Sequence, residues 1–344
     1  TSSVTGTVNT ATAATGTKTF TGAVTINSGG VWDLSGQNPA TSFAGNITMS
    51  GTTFNNGTGA AAFSATNQSL LGANAMTFGG TLTPALGTTL TNSNSSTVTV
   101  SSTGSIVLTG NFTQGLNTPT LSLAAVAPFS GAGTFDASTN ANTVTYTGAS
   151  AAVLATTYSS LTINGTGTAT IDGTTTVNAT MTVSSATTNN STLTVTTALS
   201  GAGTLTQGAG STLNIGGTSG ITGLDASTNA NTVNYTGATQ TVKAVAYKTL
   251  GLSGSGAKTM TGVTTIGTDF NMSGSATATP VITTVGGNVS ITGTAVMTTG
   301  ANNVVTGSLT VGSGAALTMG GFSLSIGTTS SVTGTVNTAT AATG

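Results

Sequence analysis

Apolar residues recur two apart in short runs along this chain, with Thr or Ser filling the positions between them. In residues 1–35 the inward candidates are Val4, Val8, Phe20, Val24, Ile26, Val31 and Leu34. A period of two is the mark of a strand with one buried face, and no stretch shows the 3.6-residue period of an amphipathic helix. Val and Thr suit such strands because their branched side chains pack on a pleated surface, and Gly and Asn accept the turns between them. The pattern continues through NITMSGTTF, AMTFGGTLTPALGTTL, STVTVSSTGSIVLTGNFTQG and TLSLAAVAPF. Pro39, Pro84, Pro119, Pro128 and Pro280 fall near the breaks, where a missing N–H does least damage to a ladder. Strands of four to six residues joined by tight turns predict successive turns of a coil rather than a sandwich of long strands.

Repeats sharpen this expectation. FDASTNANTVTYTGASAAV at 135–153 returns as LDASTNANTVNYTGATQTV at 224–242, an offset of 89 residues. The offset carries Asp136 onto Asp225, Tyr146 onto Tyr235 and Tyr158 onto Tyr247, and it continues from 159–177 to 248–266. Repeat units at about 135–223 and 224–312 follow. Residues 1–16 are identical to residues 329–344, which implies a longer period of 328 residues and suggests a window cut from a tandem array. The expected fold is all-β: a right-handed parallel β-helix (β-solenoid) of short strands, one continuous segment over 1–344. At roughly 20 residues per turn it would hold roughly 17 rungs. The TNANTV stretches fit corners where side-chain amides stack from rung to rung.

Composition then narrows the function classes. Only 3% of the residues are charged, four Lys and five Asp, with no Arg, Glu, His or Cys, and the net charge is −1. That balance offers no electrostatic route to nucleic acid or to an anionic membrane. Without Cys there is neither a disulfide framework nor a thiolate metal site, and no cofactor is expected. No run of eighteen apolar residues predicts a transmembrane helix. No charged leader followed by an apolar region stands at the start, so a secretion signal is expected outside this segment.

Candidate chemistry is sparse, and no catalytic, cofactor-binding or metal-binding residue is assigned. Asp136 and Asp225 read as corner residues accepting backbone N–H bonds, with a calcium ligand as the alternative. Lys18 and Lys258 lie in matching KTFTG and KTMTG segments and read as a solvated face. Trp32, the single Trp, covers an apolar surface or a wide corner, or else stacks on a carbohydrate. Repeated Thr-x-Thr could form a flat hydroxyl array suited to ice or a glycan. Asn46, Asn111, Asn164, Asn178 and Asn271 open glycosylation sequons that this composition generates freely. Five scattered carboxylates argue against an enzyme.

The phrases NTVTYTGASAAV, NTVNYTGATQTV, YKTLGLSGSGAKTMTGVTTI and GAGTLTQGAGSTLNIGG resemble the Thr/Gly/Asn-rich repeats of giant secreted prokaryotic surface proteins, haemagglutinin-like and autotransporter-like β-solenoid adhesins. The resemblance is strongest over about 130–270. It implies secretion, an extended solenoid and a role as a stalk, adhesin or surface filament, and it supplies no catalytic residues. Taken with the 328-residue return, the expected function is a structural segment of an extracellular or cell-surface filament, fibre or sheath, self-associating head to tail and laterally. The alternative is an adhesin stalk or a module binding a surface, glycan or ice.

Overall fold

The computed structural model describes residues 1–9 and 16–338. Their regular structure is all strand, in pieces of two to six residues, and neighbouring strands pair in parallel. The fold is a parallel β-solenoid of about 17 turns among the described residues. The chain forms two compact units, Thr1–Thr170 and Ile171–Gly344.

From Ser2 to Asp136 in the first unit each turn lays one short strand on each of three sheets. The first sheet runs from Ser2–Val4 through Val24–Ile26, Ile47–Met49, Asn67–Gly72, Thr89–Asn92 and Asn111–Gln114 to Phe135–Asp136. The second begins at Thr7–Asn9 and Val31–Asp33, and the third at Lys18–Phe20 and Thr41–Phe43. Ser2 lies beside Val24 and Val24 beside Ile47, steps of 22 and 23 residues. Strand side chains alternate between buried and half-exposed, as in Val24–Ile26, where Thr25 faces outward between two buried neighbours.

Parallel stacking in register puts like side chains above one another, so the core is a set of ladders. Phe20, Phe43 and Phe63 form one, with stacked ring centroids 5.4 Å apart at each step. Trp32 stacks on Phe54 at 5.7 Å and tilts against Phe20 at 5.1 Å. Trp32 is therefore interior, at 1% exposure, and neither roofs a corner nor presents a face to a sugar. Val31, expected inside, is only half-buried. Both residues are apolar, but the strand turns one parity inward, and Leu34 shares the parity of Trp32 while Asp33 shares that of Val31.

The second unit repeats the construction with shorter turns. One ladder runs Leu213, Val233, Leu250, Phe270, Val289 and Leu309, and Leu213 to Val233 is a step of 20 residues. Its tight corners include a column of glycines at 254, 274, 293 and 314, all with positive φ between 64° and 83°. A Cβ on Gly293 would sit 2.7 Å from the carbonyl oxygen of Gly274, and one on Gly314 would sit 2.9 Å from that of Gly293. Stacked backbone fills the space a side chain would need.

Candidate functional site

The 89-residue repeat produces two copies of one corner. In the first, Asp136 ends the strand Phe135–Asp136, and its Oδ1 accepts from the Ser138 N–H (2.8 Å), the Ser138 hydroxyl (3.0 Å) and the Thr139 N–H (3.3 Å). Its Oδ2 accepts from the Thr139 hydroxyl at 2.5 Å. Burial disfavours the charge, but these donors outweigh it and hold the carboxyl below the usual Asp value. Asp225 accepts from the Ser227 and Thr228 N–H groups at 3.3 and 3.2 Å and is lowered on the same balance. Both act as turn caps, with their oxygens already engaged by their own loops.

The amides that follow close the same loops. Asn142 Nδ2 donates to the carbonyls of Ala137 (2.9 Å) and Asn140 (2.7 Å), and Asn231 Nδ2 to those of Ala226 (3.2 Å) and Asn229 (2.7 Å). Asn140 and Asn229 reach back one turn to the backbone carbonyls of Gln114 and Gln207. The TNANTV stretches thus bind backbone rather than forming amide-on-amide ladders. Such ladders occur elsewhere, at Asn92 to Gln114 (3.0 Å), Asn189 to Gln207 (2.8 Å) and Asn234 to Asn214 (2.9 Å).

Beyond each loop a buried tyrosine pair clamps a short turn. Tyr146 and Tyr158 hydroxyls lie 2.8 Å apart; the Leu154 N–H donates to Tyr146 (3.0 Å), and Tyr158 donates to the Leu154 carbonyl (2.7 Å). Tyr235, Tyr247 and Lys243 repeat this atom for atom, at 3.1, 2.9 and 2.7 Å. At both places the coil closes in a step of 17 residues, Thr143 beside Ser160 and Thr232 beside Thr249. Burial pushes Tyr146 up to about 12 and raises Tyr158, Tyr235 and Tyr247 as well. These phenols stay neutral and serve as hydrogen-bonded struts.

Lys258 departs from the solvated-face expectation. It is 2% exposed, and its Nζ donates to the carbonyls of Gly237 (2.6 Å) and Ala238 (2.6 Å) and to Gln240 Oε1 (2.7 Å). Gln240 lies beside it in register and donates in turn to the Ile215 and Gly217 carbonyls, at 2.9 and 2.8 Å. Burial pushes the Lys258 ammonium down to about 8. Gln68 makes the same corner in the first unit, donating to the Phe43 and Gly45 carbonyls, but its register partner on the next turn is Leu90. The 89-residue offset places Ala151 and Ala169, both buried, where Gln240 and Lys258 stand. The lysine therefore replaces an apolar contact inside one copy. Lys18 is half-buried and begins the strand Lys18–Phe20.

The outward Thr-x-Thr positions do line up. Thr97, Thr120, Thr143 and Ser160 form one row on the first unit, and Thr99, Ser122, Thr145 and Thr162 form a second. Hydroxyls repeat about 4.8 Å from strand to strand and about 6.6 Å along each strand. Of the sequon residues, Asn46 and Asn111 spend their Oδ1 atoms on Ser69 and Thr134, and Asn164, Asn178 and Asn271 are exposed. Among the described residues no three carboxylates gather into a cluster. Comparison with known protein families, with curated proteins and with solved structures finds no match.

Proposed function

We propose that this chain is a non-enzymatic structural repeat segment of an extracellular or cell-surface filament, fibre or sheath. One observation carries the reading: each unit is a stack of like turns in parallel register, and each turn buries its apolar residues against its neighbours. A stack of this kind is quasi-one-dimensional and extends by adding turns, which suits a length of fibre. The interior supports the role, because the carboxylates of Asp136 and Asp225, the four phenols and the Lys258 ammonium are all held by backbone or by one another. Immunogold labelling of producing cells tests the proposal: label along surface filaments supports it, and label confined to the cell interior refutes it.

The double hydroxyl row favours a second reading, in which the same scaffold is an adhesin stalk or a module recognising a glycan or ice. Its repeat is regular in two directions, as a lattice-like ligand requires. Thermal hysteresis or glycan-array binding that is lost on replacing Thr99 and Thr145 by Val would support this reading.

A further inference from the structure

A groove of about 220 Å³ crosses neighbouring turns of the second unit, and its polar lining includes Asn231, Lys248, Thr249 and Thr268. The strand Thr232–Tyr235 lies beside Thr249–Leu252 with Thr232 paired to Thr249, so Asn231 and Lys248 stand side by side just ahead of the two strands. The following turn adds Thr268, whose N–H donates to the Lys248 carbonyl at 2.8 Å. Among the described residues no carboxylate lines the groove. Asp269, next to Thr268, spends its Oδ1 on the N–H and the side-chain amide of Asn288, at 2.8 and 3.2 Å.

Counting protons shows what the groove offers a ligand. Asn231 Nδ2 is used by its own loop, donating to the Ala226 and Asn229 carbonyls, and this fixes which way the amide points. Its Oδ1 is buried without a hydrogen-bond partner, in a residue 5% exposed. A buried acceptor with no donor keeps its full desolvation cost until one arrives. Thr268 gives its single hydroxyl proton to the Lys248 carbonyl at 2.7 Å. In the 2.7 Å contact between the Thr249 and Thr268 hydroxyls the proton is therefore that of Thr249, whose Oγ1 is left only able to accept. Lys248, half-buried at the groove, brings three donors and a positive charge. One cation and two acceptors call for a molecule with one anionic group and at least two hydroxyls.

We infer that this groove binds a single uronate residue, its carboxylate on Lys248 Nζ and its hydroxyls donating to Asn231 Oδ1 and Thr249 Oγ1. A simple anion leaves Asn231 Oδ1 without a donor, and a neutral sugar leaves the ammonium unmatched. The site goes beyond the filament reading and uses neither hydroxyl row of the first unit. The first copy of the corner keeps the loop without this chemistry. Asn142, whose Oδ1 is likewise buried and unpartnered, stands there for Asn231, but Ser159 replaces Lys248 and Ala179 replaces Thr268.

Methyl β-D-glucuronide, methyl β-D-glucoside and acetate, titrated in turn into the full-length chain at low salt and followed by saturation-transfer NMR, test the site. The glucoside lacks the carboxylate and acetate lacks the hydroxyls. We expect the glucuronide to bind at least about tenfold tighter than either, the scale of a charge-assisted hydrogen bond. Lys248→Ser installs the residue of the first copy and should lower glucuronide affinity by a similar factor while leaving the glucoside unchanged, with far-UV circular dichroism checking that the variant keeps the parent spectrum. Absence of glucuronide binding, equal binding of the glucoside or of acetate, or unchanged glucuronide affinity in the folded Lys248→Ser variant would each overturn the site. The three probes on the unaltered chain decide the matter even where the variant does not fold, and none of these outcomes bears on filament formation.

Discussion

Lys258 shows how a charged side chain survives inside a coil this narrow: three oxygens surround it, two of them backbone carbonyls from the preceding turn. Lys258→Ala strips those acceptors of their donor and should cost about 2 kcal/mol in denaturant unfolding. The Gln240→Ala/Lys258→Ala double variant recreates the Ala151–Ala169 contact, so it should cost less than the sum of the singles; strict additivity would contradict the pairing. The carboxylates supply a pH test. Asp33 is held low by the Ser35 hydroxyl and N–H, and Asp136 and Asp225 are lowered by their caps against the opposing effect of burial. A depressed carboxyl stabilises above its unfolded value near 3.8 and loses that contribution as pH falls through the folded value. The unfolding midpoint should therefore be level from pH 7 to 5 and drop below pH 4, and Asp136→Asn should shallow the drop. The capping role was legible in the sequence because Asp-x-Ser-Thr is a local turn. The fate of Lys258 was not, since KTMTG alone does not reveal which parity faces inward. The Ala at the matching position of the other copy was the usable signal. Trp32 and Val31 posed the same parity problem, settled by Leu34.

At the scale of the element, the tyrosine clamp and the glycine column do the same work of closing tight turns. Tyr158→Phe and Tyr247→Phe each remove a buried hydroxyl that donates to a half-buried carbonyl and meets its partner tyrosine, so each should cost about 1–3 kcal/mol. The two costs should agree closely, because the bonds are the same; unequal losses would show that the copies carry different loads. Gly274→Ala must place a Cβ at φ +64° against the carbonyl of Gly254. It should cost on the order of 2 kcal/mol or more in thermal unfolding, whereas Gly321→Ala, which meets nothing within 4 Å, should be nearly silent. Strand existence was readable from the period of two, and the step of roughly 20 residues from turn spacing. The individual steps were not, because the 17-residue closure depends on two tyrosines meeting 12 residues apart across the interior.

For the molecule as a whole, the scarcity of charge leads to one expectation about solution behaviour. Self-association of this chain, followed by light scattering, should barely change between 0.05 and 1 M NaCl, because few charges are present for salt to screen. A solenoid was legible from repeats and periodicity together, since each turn buries its apolar face only against its neighbours. The central claim is that this chain is a length of filament. Electron cryo-microscopy of the purified full-length chain over rising concentration tests it most directly. The account predicts unbranched filaments whose strands lie across the axis at about 4.8 Å. Discrete single particles that persist as concentration rises would contradict it.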